Sequence, residues 1–239
     1  MELATDLAAD VLATALPGRA VRTYPAMLST EADALAWGRA GGPHGAVVVA
    51  GYQASPRGRT GLEWRVQAGR GLGFTLLLRP SLSAAREGWP YLAACVGLAD
   101  LLGDDVEFTW PDGLQHGARR LAAVAVHASL GPGTVDWITV TVLVEDVLPP
   151  RAALLADAVT AIERRLDAPA DVVLDDYRAR CATLGDHVAA RLIPMGPSGV
   201  VVEGEAVDCK DDGSLVIAMA AGRRVAVPPQ HLGVLDTVE

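Results

Sequence analysis

Arginine and glycine residues alternate in one short stretch of the chain, residues 53–64, which reads QASPRGRTGLEW. The apolar run before it, residues 46–50, is typical of a buried strand, so we predict a loop at the end of that strand. A guanidinium group matches the oxygens of phosphate or carboxylate, and glycine lets the backbone approach an anion closely. We interpret Arg57, Gly58 and Arg59 as anion-binding residues, although a solvated surface loop explains the same residues equally well.

The loop and the strand after it concentrate the positive charge of an acidic protein. Five arginines lie between residues 56 and 80, where Glu63 is the only acid, although the net charge of the chain is -9. General nucleic-acid binding needs a basic face, which an acidic chain of this kind does not indicate. Nucleic acid is therefore not expected as a partner, and the local positive charge points to a small anion.

The residues of this loop resemble those of the biotin protein ligase family. The family's loop typically reads QTAGRGRRGRxW, and it closes over biotin and ATP and holds the biotinyl-adenylate intermediate. This chain keeps the pattern at Gln53, Arg57, Gly58, Arg59, Gly61 and Trp64.

Three further segments resemble the same family. Residues 71–80 read GLGFTLLLRP and are similar to the family's GxxLxxSxxLRP strand. Residues 177–185 read YRARCATLG, against the YRxRCxTLG junction that ends the catalytic domain of the bacterial ligases. Residues 204–215 resemble the GxAxxIDxxGxL pattern of the ligases' small β domain. The resemblance thus extends over nearly the whole chain.

The resemblance implies an α/β (α+β) fold, in which a mixed sheet flanked by helices precedes a small C-terminal SH3-like β-barrel. We predict a catalytic-type domain over residues 1–184 and the β domain over residues 185–239. Apolar residues at helical spacing predict a helix within residues 1–20, which ends before Pro17. This segment leaves no room for the helix-turn-helix domain of ligases that double as repressors, so a repressor is disfavoured.

Four residues are expected to hold the acid. In the family, a Ser-Thr-Asn segment bonds the ureido ring of biotin, and Ser29 and Thr30 match it here. Glu31 replaces the asparagine and brings a charge near the ligand head. Gln53 and Trp110 complete the predicted substrate-binding set. Considered without the resemblance, Ser29 or Thr30 is better interpreted as the N-cap of a helix.

The resemblance assigns nucleotide binding to the loop residues Arg57, Gly58, Arg59 and Trp64. ATP is the implied co-substrate, together with Mg²⁺ to neutralise its triphosphate. No protein-bound metal is expected, because the three cysteines are scattered and lack ligand spacing. They are expected to be ordinary buried thiols.

The family's central lysine is missing from this chain. In the family's Lys-Trp-Pro-Asn-Asp segment, the lysine ammonium bridges the biotin carboxylate and the α-phosphate, and Thr109 stands in its place here. The only lysine in the chain is Lys210. Arg120 lies at the position of a second family lysine, and we predict that it supplies the missing charge as a catalytic residue together with Arg57. A solvated arginine at a strand entrance is the alternative interpretation.

Further departures fall on the nucleotide side of the expected site. Pro56 stands where the family has a glycine, and Leu62 where it has the last arginine of the loop. Proline fixes φ and removes an N–H donor, so the loop geometry is expected to change. The family's glycine-rich GxGIN segment is also absent, and Thr141 and Leu143 are expected to block part of the nucleotide site.

These features leave two functions open. One is an enzyme that activates biotin or a related acid with ATP as an acyl-adenylate and passes it to an amine, such as that of a carrier protein. The other is an inactive ligase-like module that binds a small acid or a protein partner. The chain lacks a signal-peptide pattern and a run of about twenty apolar residues, so we expect a cytoplasmic protein with no membrane partner. A homodimer is a further state that the resemblance allows.

Overall fold

The computed structural model describes residues 5–61, 64, 69–196, 199–220 and 222–238. These residues form one large mixed sheet with helices on both faces and a second, smaller antiparallel sheet at the C-terminal end, so the predicted fold class is confirmed. The helices are α1 (Ala9–Ala15), α2 (Thr30–Arg39), α3 (Trp89–Leu102), α4 (Ala152–Asp167) and α5 (Ala170–Arg180).

The large sheet contains seven strands in the order β1-β2-β3-β7-β6-β5-β4. Its β1 and β2 pair in parallel and every other neighbouring pair is antiparallel, which makes the sheet mixed. The strands are β1 (Val21–Tyr24), β2 (Ala46–Ala50), β3 (Leu72–Leu78), β4 (Glu107–Thr109), β5 (Gly113–His116), β6 (Arg119–Leu130) and β7 (Val135–Val144).

The two faces of this sheet differ in polarity, because successive side chains along a strand point to opposite sides. Phe74, Val124 and Val142 face the main core, which α3 and α4 complete. On the other face, Thr75 and Thr141 lie buried beneath the beginning of α2. This polar face of the sheet carries the candidate site.

The second sheet contains five strands in the order β11-β10-β9-β8-β12. Its last strand along the chain, β12, therefore lies beside its first, β8. This arrangement agrees with the predicted C-terminal β domain. The domain limits at residues 184 and 185, and the closure of the sheet into an SH3-like barrel, stay predictions. The strands are β8 (His187–Leu192), β9 (Val201–Cys209), β10 (Leu215–Ala218), β11 (Arg224–Val227) and β12 (Leu232–Thr237).

The turn between β9 and β10 packs the second sheet against the first part of the chain. Gly213 has a φ of +90°, and a Cβ at this position would lie 2.4 Å from the carbonyl oxygen of Gly88, so only glycine fits. The carbonyl of Gly213 also accepts a hydrogen bond of 2.9 Å from the indole N–H of Trp110. Lys210, the only lysine, begins this turn and its ammonium lies 3.8 Å from Asp212.

The three cysteines are free and buried, as expected.

Among the helices of the described residues, none has both the length and the apolar character needed to cross a bilayer.

An ion pair attaches the N-terminal segment to the core. The helix predicted within residues 1–20 is observed as α1, preceded by a short 3₁₀ turn over Thr5–Leu7. Asp6 in that turn accepts hydrogen bonds from Arg151, at 2.9 Å from Nε and 2.9 Å from Nη2. The Arg151 side chain is only 2% exposed and also donates to the carbonyl of Gly71. The buried charge of Arg151 therefore depends on Asp6.

We expect Asp6→Asn to lower the free energy of unfolding by about 3 kcal/mol, because it leaves a buried guanidinium without its counter-charge. Urea denaturation near neutral pH measures this change, and Asp10→Asn, which alters an exposed carboxylate on α1, is the matched control. The hydrogen bonds from Arg151 hold the pKa of Asp6 below its usual value. The stabilisation should therefore persist above about pH 4 and be lost as the pH falls through the lowered pKa. Equal stability of the two variants would contradict the assignment.

Candidate functional site

The loop after β2 lies against the beginning of α2. Backbone hydrogen bonds join the two segments: the Met27 amide donates to the Tyr52 carbonyl at 3.0 Å, and the Ala54 amide donates to the Met27 carbonyl at 2.9 Å. A third bond of 2.9 Å runs from the Ser55 amide to the Leu28 carbonyl. These bonds place Ser29 and Thr30 beside the start of the predicted anion-binding loop, residues 53–64, which we call the anion loop.

A chain of buried side-chain hydrogen bonds connects the loop to the sheet. The Gln53 carbonyl oxygen accepts from the Thr30 amide at 2.7 Å and from the Thr30 hydroxyl at 3.1 Å. Thr75 then donates to the Thr30 hydroxyl at 2.9 Å, and its own oxygen lies 3.0 Å from the Thr141 hydroxyl. Because the Thr75 hydrogen is already used, Thr141 must be the donor in the last bond. The predicted residues Thr30 and Gln53 are therefore bonded to each other.

Ser29 occupies the N-cap position of α2, but its side chain makes no capping hydrogen bond. The amide of Thr30, the first residue of the helix, donates to Gln53, which comes from a different segment. Ser29 thus occupies the predicted N-cap position, but its side chain does not cap the helix. The side chain is 7% exposed, and its hydroxyl forms no hydrogen bond within the described part of the chain.

Glu31 follows in the first turn of α2. Burial raises the pKa of the Glu31 carboxyl, and the positive charge of Arg57 opposes that rise. Arg57 itself is exposed in the loop, and its side chain makes no ion pair or hydrogen bond with the described residues. The charge of Arg57 therefore acts on the carboxylate of Glu31 without a hydrogen bond or ion pair between them among the described residues.

The indole ring of Trp64 lies between the loop and the sheet. A Cβ at Gly58 would lie 2.3 Å from Trp64 Nε1, so this glycine is required by the close approach of the ring. On its sheet side, Trp64 packs in a small buried cluster with Ala123 and Leu143. Leu143 also lies over Gly73, where a Cβ would come within 2.7 Å of its Cδ2. Leu143 thus fills part of this face of the sheet, and its blocking of a nucleotide stays a prediction.

Arg120 reaches the loop from β6. Its guanidinium carbon lies 5.4 Å from the centre of the Trp64 ring, in a cation–π arrangement. Its Nε lies 3.6 Å from Glu145, and both side chains are nearly half exposed. The side chain is therefore directed to the predicted anion loop, while one edge of it stays in solvent.

Arg59 has a different environment from its loop neighbour Arg57. Its side chain is only 6% exposed, and Nη1 donates to the carbonyl oxygens of Leu232 and Gly233 in β12. Its Nε lies 3.5 Å from the Asp112 carboxylate. Burial raises the pKa of Asp112, and the positive charges of Arg59 and Arg120 oppose the rise. The predicted nucleotide-binding residue Arg59 therefore joins the loop to the second sheet.

A cleft of about 490 Å³ opens beside Arg59, between the two sheets. Thr109, which replaces the family's lysine, contributes to its wall together with Asp112 and Asp186. Trp110 is 3% exposed, and its indole N–H is bonded to Gly213. The structure thus gives Trp110 a role at the junction of the sheets, and its predicted contact with substrate stays a prediction.

The sequence reasoning missed the parts of this site that depend on distant partners. Thr75 stands at the serine of the family's strand motif, but nothing local indicated that its hydroxyl connects Thr30 to Thr141. The sequence did not indicate that the carboxylate of Asp112 faces Arg59. Leu62 lies outside the described residues, so its predicted effect on the loop stays untested.

We expect Gln53→Ala to destabilise the protein by about 1–2 kcal/mol, because it leaves a buried amide at the beginning of α2 without its acceptor. Ser29→Ala is the matched control, and should change the stability by less than about 0.5 kcal/mol since Ser29 makes no capping bond. Thermal and urea unfolding of both variants measure the difference. A larger loss for Ser29→Ala than for Gln53→Ala would contradict the importance that we give to the bond between Thr30 and Gln53.

Known proteins resemble this chain at low sequence identity. The chain is similar to the Bifunctional ligase/repressor BirA of Bacillus subtilis, with 26% identity over 117 residues, which cover 47% of this chain and 36% of that protein. The match thus spans about a third of the relative's length. No family model matches the chain.

Solved structures are similar over a much larger part of the chain. A biotin protein ligase from Aquifex aeolicus in complex with biotin and ATP superposes with a TM-score of 0.69 at 17% identity, covering 92% of this chain and 99% of the other. A biotin protein ligase-like protein of unknown function from Silicibacter sp. TM1040 gives a TM-score of 0.66 at 14% identity, covering 90% and 96%. Identities this low establish the fold alone. This protein therefore has the fold of the biotin protein ligases.

Proposed function

We propose that this protein binds a small carboxylic acid, biotin or a related compound, and activates it with ATP for transfer to an amine. The position of Arg120 carries the proposal. Its guanidinium lies against Trp64 of the anion loop, where a cation is needed to replace the ammonium that Thr109 cannot supply. A fixed positive charge stabilises the negative charge that develops during acyl and phosphoryl transfer.

The reaction has two balanced steps. An oxygen of the acid attacks the α-phosphorus of ATP, the bond to the β-phosphate oxygen breaks, and pyrophosphate leaves. The amine nitrogen of the acceptor then attacks the acyl carbon, the bond to AMP breaks, and the amine loses a proton. Both steps concentrate negative charge on phosphate oxygens, which suits the guanidinium groups of Arg57 and Arg120.

Magnesium fits this site only as a companion of ATP. The described residues contain no group of three or more His, Cys, Asp or Glu side chains that could hold a metal ion. Mg²⁺ binds triphosphates through their own oxygens and keeps several waters, and when bound it neutralises part of their charge. The arginines therefore remain the protein's own contribution to charge compensation.

The similar proteins support the choice of ligands. The Aquifex aeolicus structure contains biotin and ATP, and the Bacillus subtilis relative is described as a bifunctional ligase/repressor. A carrier protein is our proposed amine acceptor, and the cytoplasm the proposed location. The homodimer stays a prediction.

A second candidate function is acid binding without activation. It is favoured by the sheet face near the loop, where Thr141 and Leu143 are 3% and 4% exposed and occupy the strand in which the family has glycines. It is favoured also by Arg59, whose Nη1 is already bonded to β12. In this case the protein retains a pocket for an acid but excludes the nucleotide.

Calorimetric titration with biotin, with and without ATP and magnesium, separates the two functions when pyrophosphate is assayed in the same mixture. If activation occurs, Arg120→Ala should slow pyrophosphate release by about a hundredfold, because it removes a charge at the reacting centre. Arg119→Ala is the matched control, since Arg119 is 65% exposed and pairs with Asp146 at the surface. Its rate should stay close to that of the unmodified protein.

Each other outcome has a clear meaning. Binding of biotin without release of pyrophosphate favours the second candidate. If biotin does not bind and no pyrophosphate is released, biotin is excluded as the acid. Equal rates for the Arg119 and Arg120 variants would remove Arg120 from the proposed mechanism.

Glu31→Asn is expected to tighten biotin binding by about tenfold, because it removes a partly buried carboxylate that a neutral ligand head cannot compensate. Asp33→Asn is the matched control: it lies in the same turn of α2, but its carboxylate is paired with Arg22 at 3.1 Å. Calorimetry of both variants gives the two affinities. Unchanged affinity in Glu31→Asn would show that Glu31 does not face the acid.

A further inference from the structure

Among the described residues, Arg59 is the side chain of the anion loop that is hydrogen-bonded to the second sheet. Arg59 leaves the loop and places Nη1 against two successive carbonyls of β12, those of Leu232 and Gly233. These acceptors are 173 and 174 residues away along the chain. The contact is buried, since the Arg59 side chain is 6% exposed.

The contact fixes the orientation of the guanidinium group. Because Nη1 faces β12, the edge that carries Nε is turned toward Asp112, and Arg59 lines the cleft between the sheets. The buried Nε has no hydrogen-bond partner among the described residues, and its 3.5 Å contact with Asp112 is long for a bond. This edge is the one that matches the two oxygens of a carboxylate or phosphate.

We propose that β12 is part of the ligand site, because its carbonyls hold Arg59 with the anion-binding edge turned toward the cleft. A phosphate or carboxylate that binds this edge takes the position that Asp112 now approaches. The guanidinium connects such an anion to β12 through its other edge. Binding in the cleft and order in β12 are then thermodynamically coupled, and each favours the other by the same factor.

Other contacts also join the second sheet to the first part of the chain. Examples are the bond from Trp110 to Gly213 and the ion pair of 2.7 Å between Arg178 and Asp208. Neither of these pairs includes a residue of the loop. Among the described residues, Arg59 is therefore the loop side chain through which an anion would affect the second sheet.

Hydrogen exchange of the β12 amides tests the contact without any ligand. Arg59→Gln should accelerate exchange in β12 by about tenfold, because it removes buried hydrogen bonds that hold the strand. Arg57→Gln is the matched control: it removes the same charge from the same loop, but Arg57 is exposed and does not contact β12. Equal exchange in the two variants would overturn the proposal.

A second variant distinguishes loss of this contact from a general loss of stability. Arg59→Gln leaves the Asp112 carboxylate without its nearby charge, so the double variant Arg59→Gln with Asp112→Asn keeps the location neutral. The acceleration should persist in the double variant and stay confined to β12. Faster exchange across both sheets in every Arg59 variant would show a general loss of stability and contradict a specific contact.

The coupling itself rests on the proposed function and is tested with ATP–magnesium and with pyrophosphate as probes. In the unmodified protein, a bound probe should slow β12 exchange at least threefold, and in Arg59→Gln it should not. Calorimetry in the same solutions reports whether the probe binds. Binding without added protection of β12 overturns the coupling, whereas no binding counts against the proposed function and leaves the ligand-free contact to be judged by its own experiment.

Discussion

The hydrogen bonds between Gln53 and the beginning of α2 determine where the candidate site lies. A buried helix amide needs an acceptor, and Gln53 supplies it from the loop after β2. The loop must therefore start beside Thr30, over the threonines of β3 and β7. Once its start is fixed, Trp64 can pack on Gly58 and against β6 and β7, which brings the loop to Arg120. The arrangement of charges thus follows from one satisfied polar group.

The arginines of the loop divide into two roles because their surroundings differ. Arg57 remains in solvent beside Glu31, where its charge is free to meet a ligand. Arg59 is buried between Asp112 and the carbonyls of β12, where a guanidinium is tolerated only because several acceptors surround it. A sequence pattern of two arginines separated by a glycine does not distinguish these roles.

The fold could be predicted from the sequence because its signals are local. Apolar runs such as residues 46–50 mark buried strands, and the loop was correctly placed at the end of one of them. The site was harder, because its partners are far apart along the chain. Ser29 has the residue type and position of an N-cap, yet it makes no capping bond, and the first amide of α2 is bonded to the distant Gln53. Trp110 lines the cleft, but the sequence did not indicate that its N–H group is bonded to Gly213, more than a hundred residues later. Which of several acceptors a buried donor selects depends on the packed structure.

The single lysine of this protein affects what an activated acid can do once it is formed. An acyl-adenylate reacts with amines, and Lys210 carries the only side-chain amine in the chain. Lys210 lies in the turn between β9 and β10, half exposed and close to Asp212. If the chain forms an acyl-adenylate as we propose, its own side chains compete little for that intermediate, and an amine carried by another molecule is the favoured acceptor.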